Sequence, residues 1–313
     1  MLKVYNPEDQ DRLLNVGCGQ SFHQDWINVD LEPYDDSVQK HDITQGLPFE
    51  SGTFDGVYHS HVLEHLDLNA GERLLDECYR ILKPGGVLRI VVPNLAQIAE
   101  LYLDYHTKAL AGERGASENY DWMKLELLDQ LVRHQSGGRM GPHMAKCEVQ
   151  DADFMVSRIG DEFWRCQHRS FKSRQIQITL KQRWQRYIER SRTKWARWFV
   201  KKLLGRQGLT SFDEGLFRNS GEVHRWMYDR FSLKQICEQC GFIKFRVQTA
   251  TESGIADYVS YELDSHGETV RKPDSLFVEC RKPMVAGELQ RESKIPTQKQ
   301  KVKQKRNPNL KAA

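Results

Sequence analysis

The residues whose types and spacing could do chemistry begin at Arg12 to Asp30, RLLNVGCGQSFHQDWINVD, where one apolar run leads into a glycine turn and a second ends on an acid. Leu13, Leu14 and Val16 read as a buried strand. Gly17 and Gly19 then permit a tight turn whose backbone comes close to a ligand, as residues with side chains could not. Asp30 closes the run Trp26 to Val29, where a carboxylate can accept both hydroxyls of a ribose. The third glycine of the dinucleotide fingerprint is missing, since Gln20 and Ser21 follow, so by itself the turn fits a plain strand-to-loop connection as well as a nucleoside site.

The elements that must position these residues alternate along the chain. Phe54 to Tyr58 is a further strand; Leu74, Leu75, Cys78, Ile81 and Leu82 keep helical spacing; Pro84, Gly85 and Gly86 stop that helix before a strand from Val87 to Val92. Alternating strand, turn and helix predict an α/β doubly wound sheet. With NVGCG, Asp30, HDI (Asp42, Ile43), FDGVYHSHVLEHL and LKPGGVLRIVVPN in this order, the sequence resembles the class I S-adenosylmethionine-dependent methyltransferases. The likeness covers Arg12 to about Tyr105 and resumes at HRWMYDRFSLKQICEQCGF. The HRWMYDRFSL segment (His224 to Leu233) and the ending KPDSLFVECRKP (Lys272 to Pro283) are similar to bacterial methyltransferases of cell-surface polysaccharide and lipopolysaccharide gene clusters.

The resemblance implies a Rossmann-like core of seven strands with a helical insertion. It implies S-adenosyl-L-methionine as cofactor, held by Asn15, Gly17, Cys18, Gly19, Asp30, Asp42, Ile43, His59 and Ser60. The span from Asn15 to Asp30 is shorter than in most such enzymes, so the first helix after the glycine loop must be abbreviated. Asn15 stands where many relatives place an acid, and an amide cannot ion-pair with the methionine ammonium. His61, Glu64 and His65 have the HxxEH spacing of a zinc site, but the loop already belongs to the methyl-transfer face, so no metal is expected. A histidine poised near neutrality is the natural base for an alcohol acceptor; His224 is the first candidate, His61 and His65 the others, and a purely structural role stands beside each. The implied reaction is O-methylation of a surface glycan or lipid-linked saccharide, with small-molecule or protein methylation and a noncatalytic cofactor-binding module as alternatives.

Composition bounds the rest. At 313 residues and 39% hydrophobic, the chain can bury one core and an accessory region. Neither a signal peptide nor a membrane span is suggested, and seven scattered cysteines fit reduced thiols, so a cytoplasmic location is expected, with contact to the inner membrane face as an option. Cys237 and Cys240 read as the apolar face of a helix capped by Gly241. The expected organisation is a core from 1 to 106, an insertion from 107 to 222 over the acceptor site, a second core part from 223 to 284, and a disordered basic tail from 285 to 313. Within the insertion, Lys124 to about His134 reads as a helix ended by Gly137 and Gly138, and this glycine-rich end followed by Arg139 either lines a substrate pocket or merely turns the chain. Residues 181 to 206 carry a net charge of +9 and place Trp184, Ile188, Ser191, Trp195, Trp198 and Phe199 on one stripe, continued by Leu203. Three readings compete for that helix: docking on the catalytic domain, binding an anionic membrane surface, and binding nucleic acid. The last is disfavoured because, with residues 282 to 313 carrying a further +7, about −13 of net charge lies on the remainder of the chain.

Overall fold

A computed structural model describes residues 12–148, 152–169 and 180–284. The strands are β1 (Leu13–Val16), β2 (Ile27–Asp30), β3 (Gln39–Lys40), β4 (Phe54–Ser60), β5 (Leu82–Pro93), β6 (Ile243–Gln248), β7 (Ser265–His266), β8 (Thr269–Val270) and β9 (Ser275–Arg281). Seven of them form one sheet in the order β3-β2-β1-β4-β5-β9-β6, while β7 and β8 make a separate hairpin. All neighbours from β3 to β5 run parallel, and β9 is antiparallel to both β5 and β6. The α/β expectation and its seven strands are therefore met, with the α-helices that cover the sheet on one of its faces among the described residues. Val16 pairs with both Val29 and His59, so the carboxyl ends of β1, β2 and β4 are level and their following loops meet in one crevice.

The two sheet faces are packed differently. One is covered by α1 (Leu68–Ile81) and α8 (Arg230–Gln239), whose Leu74, Leu75, Cys78, Ile81, Leu233 and Cys237 close on Leu14, Val16, Val57 and Ile90. Asp67 caps α1 by accepting the Ala70 N–H, and Asp229 with Ser232 forms a capping box on α8. Cys237 is in this core and Cys240 packs at its edge, as the apolar-face reading requires. The opposite face is smaller and aromatic: Trp26, Tyr58, Val91 and Phe277 meet Ile255, Tyr258 and Leu263 from the stretch after β6. Leu82, expected on the helix, is instead the first residue of β5, paired with Phe54 ahead of an irregularity in the ladder.

Helices α2 (Leu95–Leu110), α3 (Ala116–Val132), α4 (Met140–Lys146), α5 (Asp153–Ile159) and α6 (Asp161–Arg169) build a third core around Ile98, Trp122, Met123, Met144, Ile159 and Phe163. Because α2 supplies Ile98, Leu101, Tyr102 and Tyr105 to that core, the boundary expected at 106 falls inside a helix shared by sheet and insertion. Helix α3 starts eight positions before Lys124, since Trp122 and Met123 anchor its earlier turns. No helix occurs between β1 and β2, where the chain makes only turns, so the abbreviation goes further than expected.

The basic aromatic stretch is not one straight helix. In α7 (Leu180–Arg218) Gly205 takes a left-handed φ of 68°, and Arg197 then reaches Asp213 at 3.0 Å. Sixteen residues of straight helix would separate those positions by about 24 Å, so the chain doubles back as a helical hairpin. Trp195 (64% exposed), Trp198 (50%), Phe199 (53%) and Leu203 (79%) lie open near its tip, which excludes docking for those side chains. The Trp184 side chain and the tail from 285 lie outside the described residues.

Candidate active site

A cavity of about 470 Å³ opens where the loops after β1 and β4 meet the insertion. Its floor is the glycine loop. The Gly17 and Cys18 N–H groups both reach Val29 O, at 2.8 and 3.3 Å, which folds the loop over the end of β2. Gly17 has φ 64°, and a Cβ there would meet Val62 Cγ2 at 2.5 Å; Gly19 has φ 54°, and a Cβ there would meet no atom within 4 Å. The first glycine is thus required by packing against the β4 loop, the second leaves room on the cavity side. Asn15 Nδ2 donates to Ser21 O (2.9 Å) and approaches Asn28 Oδ1 (3.3 Å), so its amide holds the loop shut from beneath. Burial, then the Asp30 charge, pushes the Cys18 thiol up to about 12, which leaves it no nucleophilic character at neutral pH.

Asp30 stands at the carboxyl end of β2 and accepts the Gly19 N–H at Oδ2 (2.8 Å) and the Glu32 N–H at Oδ1 (2.9 Å). Each oxygen keeps a further lone pair, so the carboxylate can position the loop and still receive ribose hydroxyls. Asp42 caps a short 3-10 turn by accepting from Thr44 N and Thr44 Oγ1, which lowers its pKa, and Ile43 packs against the core.

At the end of β4 the pleat decides what faces the cavity. Tyr58 and Ser60 line it; His59, between them, points to the opposite side, fully buried with neither ring nitrogen partnered. The expected contact at Ser60 is thus on the cavity wall and that at His59 is not. Burial lowers the His59 pKa to about 4, so it is neutral at pH 7. Next, His61 takes a left-handed φ of 54°, rare for a non-glycine residue, with its N–H on Val91 O at 2.9 Å. That turn brings His61 Nδ1 to 3.1 Å from Glu64 Oε1 and His61 Nε2 to 2.9 Å from Ser275 Oγ.

The chain returning from the hairpin completes this wall. Arg225 N and Trp226 N both donate to Glu64 O, and His224 N donates to Gln130 O. His224 is thereby set against His65, ring centroids 4.7 Å apart and edge to face. Burial depresses both histidines, His224 to about 3 despite the Glu64 charge. His224 and His65, both base candidates, stand together on the cavity wall. Burial tends to raise Glu64, but the surrounding histidines, His61 foremost, outweigh it and hold the carboxyl well below its usual range.

The far walls were not legible in the sequence. Helix α3 and its turn contribute Gln130, Arg133, Ser136 and Gly137; α6 contributes Asp161, Glu162 and Arg165; the chain before β9 contributes Arg271 and Lys272. Glu222 accepts from Gly137 N (2.7 Å) and Arg133 (3.2 Å), clamping the glycine turn after α3. Gly137 lines the cavity, whereas Arg139 is exposed beyond it. Asp264, also on the wall, accepts from Arg89 (2.8 Å), Tyr58 (2.6 Å) and Tyr258 (2.7 Å), tying the aromatic side of the sheet together.

Comparison with known proteins agrees with this geometry. Residues 14–90 match the family model described as a methyltransferase domain. A probable S-adenosylmethionine-dependent methyltransferase of Mycolicibacterium smegmatis is 32% identical over a stretch covering 26% of this chain and 38% of that protein. The chain therefore spans well under half the length of this curated relative. Among solved structures, a SAM-dependent methyltransferase from Archaeoglobus fulgidus aligns at 14% identity over 88% of this chain and 87% of its own, with TM-score 0.36. One from Thermotoga maritima, described as a possible histamine N-methyltransferase, aligns at 13% over 87% and 83%, with TM-score 0.34. Residues 14–90 are thus similar to a methyltransferase domain, and part of the chain to a probable S-adenosylmethionine-dependent methyltransferase.

Proposed function

We propose that the whole chain is an S-adenosylmethionine-dependent O-methyltransferase acting on a saccharide, a surface glycan or its lipid-linked precursor. The observation that carries the acceptor class is the wall opposite the glycine loop. Gln130, Arg133, Ser136, Glu162, Arg165 and Lys272 offer hydrogen-bonding and charged groups, whereas a pocket for an apolar small molecule is lined mainly by apolar and aromatic side chains. Such a wall suits a ligand whose surface is hydroxyls, with cations for an acidic or phosphorylated sugar.

The residues present fit the cofactor. Gly17 to Gly19 give a loop with room at Gly19, Asp30 has lone pairs for ribose hydroxyls, and Asn15 and Ser60 line the same cavity and would be available to the rest of the cofactor. When bound, S-adenosylmethionine supplies a methyl group on a sulfonium. The protein's work is then alignment and exclusion of water: the acceptor oxygen bonds to the methyl carbon as the carbon–sulfur bond breaks, the electron pair stays on sulfur, and the hydroxyl proton passes to water. The exposed hairpin tip, with Trp195, Trp198 and Phe199 beside Arg192, Lys201 and Lys202, supports a seat on an anionic membrane next to a lipid-linked acceptor. No helix among the described residues is long and apolar enough to cross a membrane.

The test is mass analysis of saccharides and lipid-linked saccharides from cells with and without the protein, alongside incubation of purified chain with labelled S-adenosylmethionine and the same fractions. Methyl label on a sugar oxygen that depends on the protein is the expected result. Label only on protein or on an apolar small molecule would replace the acceptor class, and cofactor binding without turnover on any fraction would mark a noncatalytic module.

A further inference from the structure

Glu64, His65 and His224 each offer one ligand atom, and these atoms all lie within 4.8 Å of one another. Glu64 comes from the loop after β4, and His224 from the segment re-entering after the whole insertion. The position is held by backbone bonds rather than by the side chains themselves, Arg225 N and Trp226 N on Glu64 O and His224 N on Gln130 O. Much of their bonding capacity is left over: His65 Nδ1, His224 Nδ1 and Glu64 Oε2 are buried with no hydrogen-bond partner, and Glu64 Oε1 has only His61 Nδ1 beside it, at 3.1 Å. Glu64 is wholly buried and His224 is 3% exposed. Buried polar groups nearly always find partners, so several orphaned atoms converging on one point ask for a group that satisfies them together.

We propose that Glu64, His65 and His224 bind a divalent transition-metal cation, such as Zn²⁺ or Mn²⁺, whose open position faces the acceptor cavity. Two imidazole nitrogens and one carboxylate oxygen are a donor set of catalytic metal sites, which keep a position free for water or substrate. Around a tetrahedral metal with bonds of about 2.0–2.2 Å the ligand atoms stand about 3.3–3.6 Å apart, so binding draws the present spread of 4.8 Å inward by side-chain rotation. His65 and His224 line the cavity, so the free position opens toward the acceptor.

His61 then has a defined part as a positioning residue. Its ring stands between Glu64 Oε1, 3.1 Å from Nδ1, and Ser275 Oγ, 2.9 Å from Nε2, so it holds the carboxylate in place. Partners of this kind orient metal ligands and raise their basicity. The cation's task rests on the methyltransferase reading: an acceptor hydroxyl on the metal loses its proton to water more readily, and the resulting oxygen attacks the methyl carbon while the carbon–sulfur bond breaks. No imidazole need then act as the base.

The test uses the full chain, stripped with a chelator and titrated calorimetrically with Zn²⁺ and with Mn²⁺, with elemental analysis of the purified protein. One equivalent of cation per chain is expected, with binding lost in Glu64→Gln and in His224→Gln. His61→Asn should weaken it about 10- to 100-fold without abolishing it. S-adenosylmethionine affinity is measured on the same samples, and its retention by the variants shows that they are folded. A folded wild-type chain that takes up neither cation, or a Glu64→Gln variant that binds as the wild type does, overturns the proposal. Cation binding by a chain that turns over no acceptor would leave this site standing and defeat the methyl-transfer reading instead.

Discussion

Two buried clusters of ionisable groups lie on the same sheet, and they differ in whether their charges are answered. Arg89, on β5 and fully buried, donates to Asp264 and Glu279 and to the carbonyls of Thr249 and Glu252, and its guanidinium sits 4.4 Å over the Tyr258 ring. Glu279 accepts in turn from Ser253 Oγ and Gly254 N. The acids beside it raise the Arg89 pKa further although burial opposes them. Glu64 and His224 are buried as deeply and His65 partly so, but Glu64 Oε2, His65 Nδ1 and His224 Nδ1 have no hydrogen-bond partner. A satisfied network fixes one structure, here the join between the sheet and the stretch after β6; an unsatisfied one of the same depth points to something the folded chain is built to receive.

The largest effect expected from this contrast comes from breaking the satisfied cluster. Arg89→Met would leave Asp264 and Glu279 buried without their cation, and loss of one member of a buried pair costs about 3–5 kcal/mol. Denaturant unfolding should show that loss at unchanged slope. A cost below about 1 kcal/mol would mean that water reaches this network, and the two clusters would no longer differ in kind. Asp30 tests the intermediate case, a carboxylate partly answered by Gly19 and Glu32 and still open to a ligand. With charge-assisted hydrogen bonds at about 1.5–3 kcal/mol each, Asp30→Ala should weaken S-adenosylmethionine binding by about 2–4 kcal/mol, or about 30- to 1000-fold. Calorimetry reads this, and a change under about threefold would show that Asp30 serves the loop alone.

His59 sharpens the unsatisfied side, because it is orphaned yet faces away from the cavity. Its loss should therefore help the protein: replacing a buried unpaired polar group with an apolar one of similar size recovers about 1–3 kcal/mol. The sign of the pH effect follows from its pKa, lowered to about 4 from the ordinary 6.5. Between those values the unfolded chain holds a proton that the folded chain does not, so stability falls as pH drops from 6.5 toward 4. His59→Leu should be more stable at pH 7 and lose less on acidification, measured by unfolding at pH 7, 6 and 5. A destabilised variant would show that His59 has a partner in solution and belongs with the functional cluster.

What the sequence disclosed follows the same division. Leu13 to Asp30, Phe54 to Ser60 and Leu68 to Val92 were legible because strand and helix periodicity and glycine turns act over a few residues. The Arg89 hub was not, since β5 reads as a plain apolar strand, and nothing near Arg89 in sequence announces Asp264 or Glu279. His61, Glu64 and His65 were visible as a spacing; that His224 closes on the same point depends on the path of the insertion. Gln130, Arg165 and Lys272 come from three separate elements and share a wall only once the third core has formed. The hairpin was hidden at one residue, Gly205, because an amphipathic stripe looks the same on a straight helix and on one leg of a folded pair.

The hairpin also supplies the smallest effect and the opposite limit of the comparison, charge that is not buried at all. Arg192, Lys201 and Lys202 are exposed, and Arg197 is half exposed with Asp213 at 3.0 Å, so part of the stretch's positive charge is answered within the hairpin. Each remaining cation near an anionic surface adds about 1 kcal/mol, and that attraction is screened by salt. Trp195, Trp198 and Phe199, all at least half exposed, would add apolar insertion at headgroup depth. Liposome flotation should then show recovery that rises with anionic lipid, falls with salt, and drops several-fold further in a Trp195→Ala/Trp198→Ala variant that binds cofactor normally. Asp213→Asn, which frees Arg197, should raise recovery on anionic vesicles without changing it on neutral ones. Equal recovery on both kinds of vesicle, or no loss in the tryptophan variant, would take the membrane out of the proposal and leave the polar cavity wall as its remaining support for a saccharide acceptor.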